Sequence, residues 1–210
     1  MNDSYYFNVK RKRPEEIYNE VSDYFRGEIL NQYASSKNMM KIQEKITIRA
    51  LELLNIKKRK ALILDAGSGP GFAAMLLREM GFKTVALDII FEFLNFYDIK
   101  DLNPLNADMC FPPFKANTFD AILSISALQW IYRDLDNEKM HYLLTNLSKS
   151  FFKILKPDSR VIIQFYPKNE EIMIQIGKIF AENTDFNGNF IIDNPNSNKK
   201  RKIFLLLDKE

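Results

Sequence analysis

Three glycines at alternate positions, Gly67, Gly69 and Gly71, stand between two acids, Asp65 before them and Asp88 beyond. An apolar run, Ala61 to Leu64, ends at Asp65, and a helix-like run, Phe72 to Met80, follows the glycines. The predicted order is strand, tight turn, helix N-terminus. Glycines let a backbone approach a ligand that a Cβ would push away. Pro70 suits the first turn of that helix, and Gly81 suits its stop. Lys83 to Leu87 reads as the next strand, with Asp88 at its tip. An acid there accepts hydrogen bonds from ribose hydroxyls in an open α/β sheet. The spacing departs from the dinucleotide fingerprint, whose third glycine would fall at Phe72. A phosphate-binding loop would need a Gly-Lys-Ser/Thr ending, which this stretch lacks.

More polar groups fall where the same sheet would bring them. Asn103 to Ala107 reads as a short third strand, followed by Asp108 and Met109. Such a pair can read an adenine: the acid takes the exocyclic amine and the thioether packs on the ring. Ala121 to Ile125 reads as strand four, with Ser124-Ile-Ser-Ala-Leu-Gln-Trp130 at its end. Arg160 to Phe165 reads as strand five, then Tyr166 and Pro167. Ligands of open α/β sheets bind at the carboxyl ends of strands. Trp130, Phe165 and Tyr166 can stack on a base, and Gln129 and Gln164 can hydrogen-bond its edge. His141, the single histidine, falls in a predicted helix away from the strand tips, which suits a structural or surface role.

Were the bound ligand a methyl donor, these residue types would narrow the acceptor by elimination. Methylating a pyrimidine carbon calls for a cysteine nucleophile, and the one cysteine, Cys110, lies in the wrong motif. Methylating an exocyclic amine goes with an Asn/Asp-Pro-Pro-Tyr/Phe motif, and Ser124-Ile-Ser-Ala occupies that place. Hydroxyl acceptors want a base or a metal, and no metal-ligand cluster is evident. A ring nitrogen with a free lone pair, such as guanine N7, needs only stacking, edge hydrogen bonds and alignment.

The elements that must hold these residues read as one α/β chain of 210 residues, 46% hydrophobic, with seventeen Phe. Pro14 opens a helical run, and residues 36 to 55 form a second helix with Ile42, Ile46, Ala50 and Leu54 on one face. Residues 89–99 are apolar on nearly all sides, which predicts deep burial or a face for another protein. A helix spans 137–155 with Leu143, Leu147, Phe151 and Leu155 inward. Lys156-Pro-Asp-Ser is a turn, and 169–182 is a further helix. Phe190–Ile192 and Ile203–Leu207 flank the polar turn DNPNSNKKRK as a closing hairpin. One cysteine excludes an internal disulfide and suggests a reducing compartment. No apolar run nears the roughly 20 residues of a membrane span, and no signal peptide is evident. Net charge is only +3, but Lys10–Arg13, Lys57–Lys60 and Lys199–Lys202 are basic tetrads; each alone reads as a solvated loop end, and three together raise the odds of a nucleic-acid partner.

The D-x-G-x-G-x-G turn with its second acid resembles motif I of class I S-adenosylmethionine (SAM) methyltransferases. Together, RPEEIYNE (13–20), YASSKNMMKIQEKITIRALELL (33–54), LDAGSGPG (64–71), LDI (87–89), DAILSISALQW (120–130), QFYP (164–167) and DNPNSNKKRK (193–202) resemble the small-subunit ribosomal RNA guanine-N7 methyltransferases. The resemblance implies a Rossmann-like α/β fold: a seven-stranded, mostly parallel sheet with helices on both faces and a C-terminal antiparallel hairpin. Residues 1–55 would cap the cofactor and substrate site over a core of 56–210. The cofactor would be SAM, held by Ser35, Ser36, Asp65, Ala66, Gly67, Ser68, Gly69, Asp88, Ile89, Asp108, Met109 and Ser124. Ser126, Gln129, Trp130, Phe165, Tyr166, Asn196 and Ser197 would position the base, with no general base and no metal. The family works in ribosome biogenesis with a small zinc-binding activator, here expected to dock near Ile89–Ala107 by strand addition. The missing basic C-terminal extension suggests a compact member, cytoplasmic if archaeal, nuclear and cytoplasmic if eukaryotic. Two rival expectations stand beside this one: a methyltransferase for a small molecule or protein, and mainly a ribosome assembly factor.

Overall fold

The computed structural model describes residues 12–97, 102–197 and 200–210. Lys10, Arg11 and Lys199 of the basic tetrads, and residues 98–99 of the apolar segment, lie outside them. In chain order the elements are α1 (Pro14–Ile17), α2 (Val21–Tyr24), α3 (Gly27–Ala34), α4 (Lys37–Leu54), β1 (Leu62–Ala66), α5 (Phe72–Glu79), β2 (Lys83–Asp88) and α6 (Phe91–Leu94). There follow β3 (Pro104–Asn106), β4 (Phe119–Ile125), α7 (Glu138–Ile154), β5 (Leu155–Phe165), α8 (Glu170–Asn183), β6 (Asn187–Asp193) and β7 (Lys202–Lys209). The strands form one sheet in the order β3-β2-β1-β4-β5-β7-β6. The first five are parallel, and β7 runs antiparallel to both β5 and β6. This is the expected class, closing hairpin included.

Alternation along the strands builds a core on each face. Ile63, Leu123 and Ile162 point to the layer holding Ile46, Ala50 and Leu54 of α4 and Leu77 of α5. Leu64, Ile122, Val161 and Ile163 point to the layer of Leu147 and Phe151 of α7 and Ile176 of α8. Chain order reverses between β1 and β4, which opens a crevice at their carboxyl ends.

Several local expectations are corrected. The run from Pro14 breaks into α1, α2 and α3. Arg133 takes the Asn19 carbonyl (3.1 Å), an acceptor that a continuous helix would use internally. Pro70 lies before α5, not in its first turn. The Gly71 N–H donates to the Ser68 carbonyl (3.0 Å), so Pro70 forms the corner of that turn and Gly71, at φ +88°, caps the helix. Gly81 stops α5 as expected: its N–H donates to the Arg78 carbonyl, and that of Phe82 to Leu77, a Schellman pair. In α4, Ile42 is exposed and Gln43 buried, so the inward face is turned by one residue at its start. In α7, Leu144 is buried where Leu143 was expected innermost, and Leu155 already belongs to β5. The turn at Lys156–Ser159 is absorbed into β5 as an irregularity, with Asp158 at φ +54°. Of residues 89–97, only Phe91–Leu94 are helical. Ile90 and Phe93 are buried, whereas Ile89 and Phe91 are 52% and 60% exposed, so this segment has both an inner and an outer apolar face.

Candidate active site

The crevice is a cleft of about 1110 Å³ including its open mouth. Its floor is the glycine turn. The N–H groups of Gly67 and Ser68 both donate to the Leu87 carbonyl (2.8 and 3.0 Å), tying the turn to the end of β2. Gly67 has φ +76°, and a Cβ on it would lie 2.5 Å from the Ala127 Cβ. The turn therefore packs against the segment after β4 at a distance only glycine permits. Asp88 accepts from the N–H of Gly69 (2.7 Å) and of Ile90 (2.8 Å). Asp65 is buried, and its Oδ2 has no partner among the described residues. Burial pushes Asp65 up to about 7, with the nearby Asp88 adding to the effect. Burial also raises Asp88, to about 6, against the pull of its backbone donors. Asp108, farther round the wall, accepts from the Cys110 N–H (2.8 Å), beside buried Met109. Asp65, Asp88, Asp108 and Glu20 all line the cleft, and among the described residues no Lys or Arg does.

The mouth is built by the turn after β4 and by the N-terminal helices. Ser126 adopts φ +58°, a costly conformation for a side-chain-bearing residue. It is held by three bonds: its N–H donates to the Gln164 carbonyl, its Oγ–H to Gln164 Oε1 (2.8 Å), and its carbonyl accepts from Gln129 Nε2 (2.7 Å). Trp130 stacks on Tyr24 of α2, centroids 5.8 Å apart, with Phe25 at 6.0 Å. Phe25 in turn meets Tyr33 and Phe93, each at 5.1 Å. These aromatic contacts roof the cleft with the stretch before α4, while α4 itself packs in the sheet's helical layer.

Residues 64–163 match the family described as "Methyltransferase domain". The chain is 34% identical over 197 residues to the 18S rRNA (guanine(1575)-N(7))-methyltransferase of Saccharomyces cerevisiae, covering 88% of this chain and 68% of that one. It is 31% identical over 209 residues to the 18S rRNA (guanine-N(7))-methyltransferase of Bos taurus, covering 94% and 72%. The chain belongs to the 18S rRNA guanine-N7 methyltransferase family. It is thus a methyltransferase, and the donor of its class is SAM. Solved structures agree on the fold. The magnesium protoporphyrin methyltransferase of Synechocystis with bound SAM has TM-score 0.66 at 15% identity, covering 97% of this chain and 100% of that one. A complex of the Haloferax volcanii Trm112 methyltransferase activator with a methyltransferase has TM-score 0.60 at 17% identity, covering 88% and 99%.

The cleft of this methyltransferase fits that donor. A sulfonium and an ammonium suit a wall of carboxylates without a cation, and the orphaned Asp65 oxygen awaits a donor group. The same wall would repel a pyrophosphate. Bound here, SAM would supply an activated methyl group. Of the residues expected to hold it, Asp65, Gly67, Ser68, Gly69, Asp88, Ile89, Asp108 and Met109 converge on the cleft. Ala66 and Ser124 are buried within their strands and do not line it. Ser36 instead caps α4 by accepting from the Met39 N–H, and Ser35 Oγ–H bonds the Asn31 carbonyl. Of the base-positioning set, Ser126 and Trp130 reach the cleft. Gln129 lies just behind them, with Oε1 buried and unpartnered. Phe165 is wholly buried against Phe190, on the face of β5 that packs with Val161 and Ile163 into the α7 and α8 layer, and it cannot stack on a base. Gln164 is likewise buried and committed to Ser126. Tyr166 sits at the rim, and Asn196 and Ser197 lie on the hairpin tip, outside the cleft lining.

Sequence reasoning missed the aromatic roof and Tyr97. The Tyr97 hydroxyl donates to Ser68 Oγ (2.7 Å) beneath the glycine turn, and its ring would lie 2.5 Å from a Cβ on Gly71. The all-round apolarity of 89–97 was the available signal. Cys110, read as a plain loop residue, is buried on the cleft wall, where burial pushes its thiol far up. His141 is exposed on α7, away from the cleft.

Proposed function

We propose that this enzyme transfers a methyl group from SAM to N7 of a guanine in small-subunit rRNA, as part of ribosome biogenesis. The observation that carries the reading is likeness along nearly the whole chain to relatives named for that reaction. The site chemistry supports it. N7 carries no proton to remove, so the side chains at the mouth have only to position and dehydrate the base. Asp88 would take the ribose hydroxyls, Asp108 and Met109 the adenine, and Asp65 with the glycine turn the amino-acid end. Ser126, with its strained and triply held backbone, would set the floor under the guanine. Gln129 has an acceptor to spare, and Trp130 would give the base the face that Tyr24 leaves open. Tyr166 at the rim, with Asn196 and Ser197 on the hairpin tip, would guide the base in. Residues before α4 would serve as the cover over both ligands.

The enzyme would act with a small zinc-binding activator. β3 is the edge of the sheet, and exposed Ile89 and Phe91 stand at the adjoining end of β2. An activator that adds a strand to β3 would cover both side chains. That a similarly folded chain was solved in a Haloferax volcanii complex of an activator with a methyltransferase supports an activator partner. The working compartment would be the nucleus and cytoplasm in a eukaryote, or the cytoplasm in an archaeon.

The test is in vitro labelling of pre-ribosomal small subunits with labelled SAM, with and without the activator, followed by reduction and aniline cleavage. A single new cleavage site that depends on the activator is the expected result. Donor binding without rRNA label would overturn the substrate and shift the reading to a small-molecule or protein acceptor.

A further inference from the structure

The three basic runs are far apart in sequence, and the fold sorts them. Residues 57–60 precede β1, at the end of the sheet opposite the cleft, where Lys58 pairs with Asp120 (2.9 Å). The other two runs meet. β7 pairs with β5 in the register Phe165↔Ile203, which brings Lys202 beside Tyr166, just past the end of β5. Lys202 Nζ lies 5.2 Å from the Tyr166 ring centroid. From the other side, Arg13 Nη1 donates to the carbonyls of Tyr166 (2.6 Å) and Pro167 (3.3 Å). Arg13 is thereby spent on docking its segment, which places Lys12 at the same rim as Lys168 and Lys200. These three lysines are exposed. Among the described residues no ion pair engages them or Lys202. Of the nearby carboxylates, Glu15 and Glu16 face Arg13 and Asp193 pairs with Arg49, while Glu170 and Glu171 open α8 just beyond Lys168. The rim borders the mouth, since Ser126 of the cleft bonds Gln164, two residues before Tyr166.

We infer that Lys12, Lys168, Lys200 and Lys202 form the track that grips the phosphate backbone of the RNA substrate, and that residues 57–60 take no part. The inference rests on the RNA reading above. Its physical basis is the contrast between cleft and rim. A cleft walled by four acids repels phosphates, so a polyanion must be held outside it while one uncharged base enters. Contacts of this kind set the register of the nucleic acid without reading its sequence.

The experiment compares two double variants of the full chain that remove equal charge, Lys168→Ala/Lys200→Ala and Lys57→Ala/Arg59→Ala. A labelled single-stranded RNA containing a guanosine is titrated at several salt concentrations. Each phosphate contact on a single strand contributes about 0.7 to the slope of log affinity against log salt. The rim pair should flatten that slope by about 1.4 and weaken binding roughly tenfold at low salt, with the Kd for SAM unchanged. The far pair should leave the slope as it is. An unchanged slope in the rim pair, or an equal loss in the far pair, would overturn the track. Charge reversal, Lys168→Glu/Lys200→Glu, should deepen the loss, and a failure to do so counts against it as well. Methylation of rRNA by the unaltered chain together with the activator is scored separately. Its absence would sink the RNA reading, whereas intact methylation with an unaffected rim variant would sink the track alone.

Discussion

Asp65 and Asp88 are two carboxylates drawn out of water side by side, and their protons report on the donor. Both are raised, to about 7 and about 6, first by burial. A raised acid holds its proton in the fold after the unfolded chain has lost it. Its contribution to stability is therefore full below about pH 4 and is lost as pH climbs through about 7. A cationic ligand reverses the preference, because it favours the ionised pair. Without donor, the Tm of the wild type should decline more between pH 5 and 8 than that of Asp65→Asn, by a few degrees at roughly 2–4 °C per kcal/mol. The Kd for SAM should tighten with pH across the same window in the wild type, and level off above about pH 6 in the variant, where only Asp88 still titrates. Calorimetry at several pH values measures both; parallel profiles would refute this role for Asp65.

At the scale of elements, one side chain pins the start of three strands. Asp120 of β4 accepts from the Leu62 N–H of β1 (2.9 Å), from Lys58 Nζ (2.9 Å) and from Lys156 Nζ of β5 (2.8 Å). Burial works against its charge, but the bonds from Lys156, Lys58 and Leu62 outweigh burial and hold it at about 2. That stabilisation is present above the ordinary Asp range and fades as pH falls towards 2. Asp120→Ala should cost about 1–3 kcal/mol in urea unfolding, since a part-buried N–H loses its acceptor. Most of the loss belongs to Leu62 and Lys156, because the Lys58 arm is exposed and screened. SAM affinity should hold, as Asp120 lies at the opposite end of β4 from Ser126. A large fall in affinity would show that the strand ends are coupled.

Across the whole molecule, two arginines fasten the N-terminal stretch over the mouth in opposite senses. Arg13 reaches from the stretch to the chain after β5. Arg133 reaches from the turn after β4 back to the stretch, bonding the carbonyls of Trp130 (3.0 Å) and Asn19 (3.1 Å). Arg133 touches neither expected ligand directly, so its role is positioning. Arg133→Ala should expose residues 18–26 to limited proteolysis several-fold faster and raise KM for SAM about tenfold, with kcat changed less. Added SAM should restore protection. Equal cleavage rates in the two proteins would show that the aromatic contacts of Tyr24 and Phe25 hold the cover unaided.

Residues whose places follow from local geometry were legible in the sequence. Asp65, Gly67, Gly69, Asp88 and Asp108 stand at strand ends and in a tight turn, and the turn type, the alternation of strands and the parallel topology suffice to bring them to one crevice. The helices of the core and the closing hairpin could be read for the same reason, with bounds off by one to three residues. What joins distant segments could not. Phe165 looked available for stacking, but the face of β5 it occupies depends on α8 and β6. Tyr97 locks the glycine turn from 26 positions beyond Gly71. Ser35 and Ser36 serve α3 and α4 because the entry into α4 needed a cap. Trp130 meets Tyr24 where Arg133 ties the turn after β4 to the N-terminal stretch. Periodicity and turn chemistry act over a few residues, so a sequence can display them. Which side chains share a wall is decided by packing and burial between segments, and only the assembled sheet settles it.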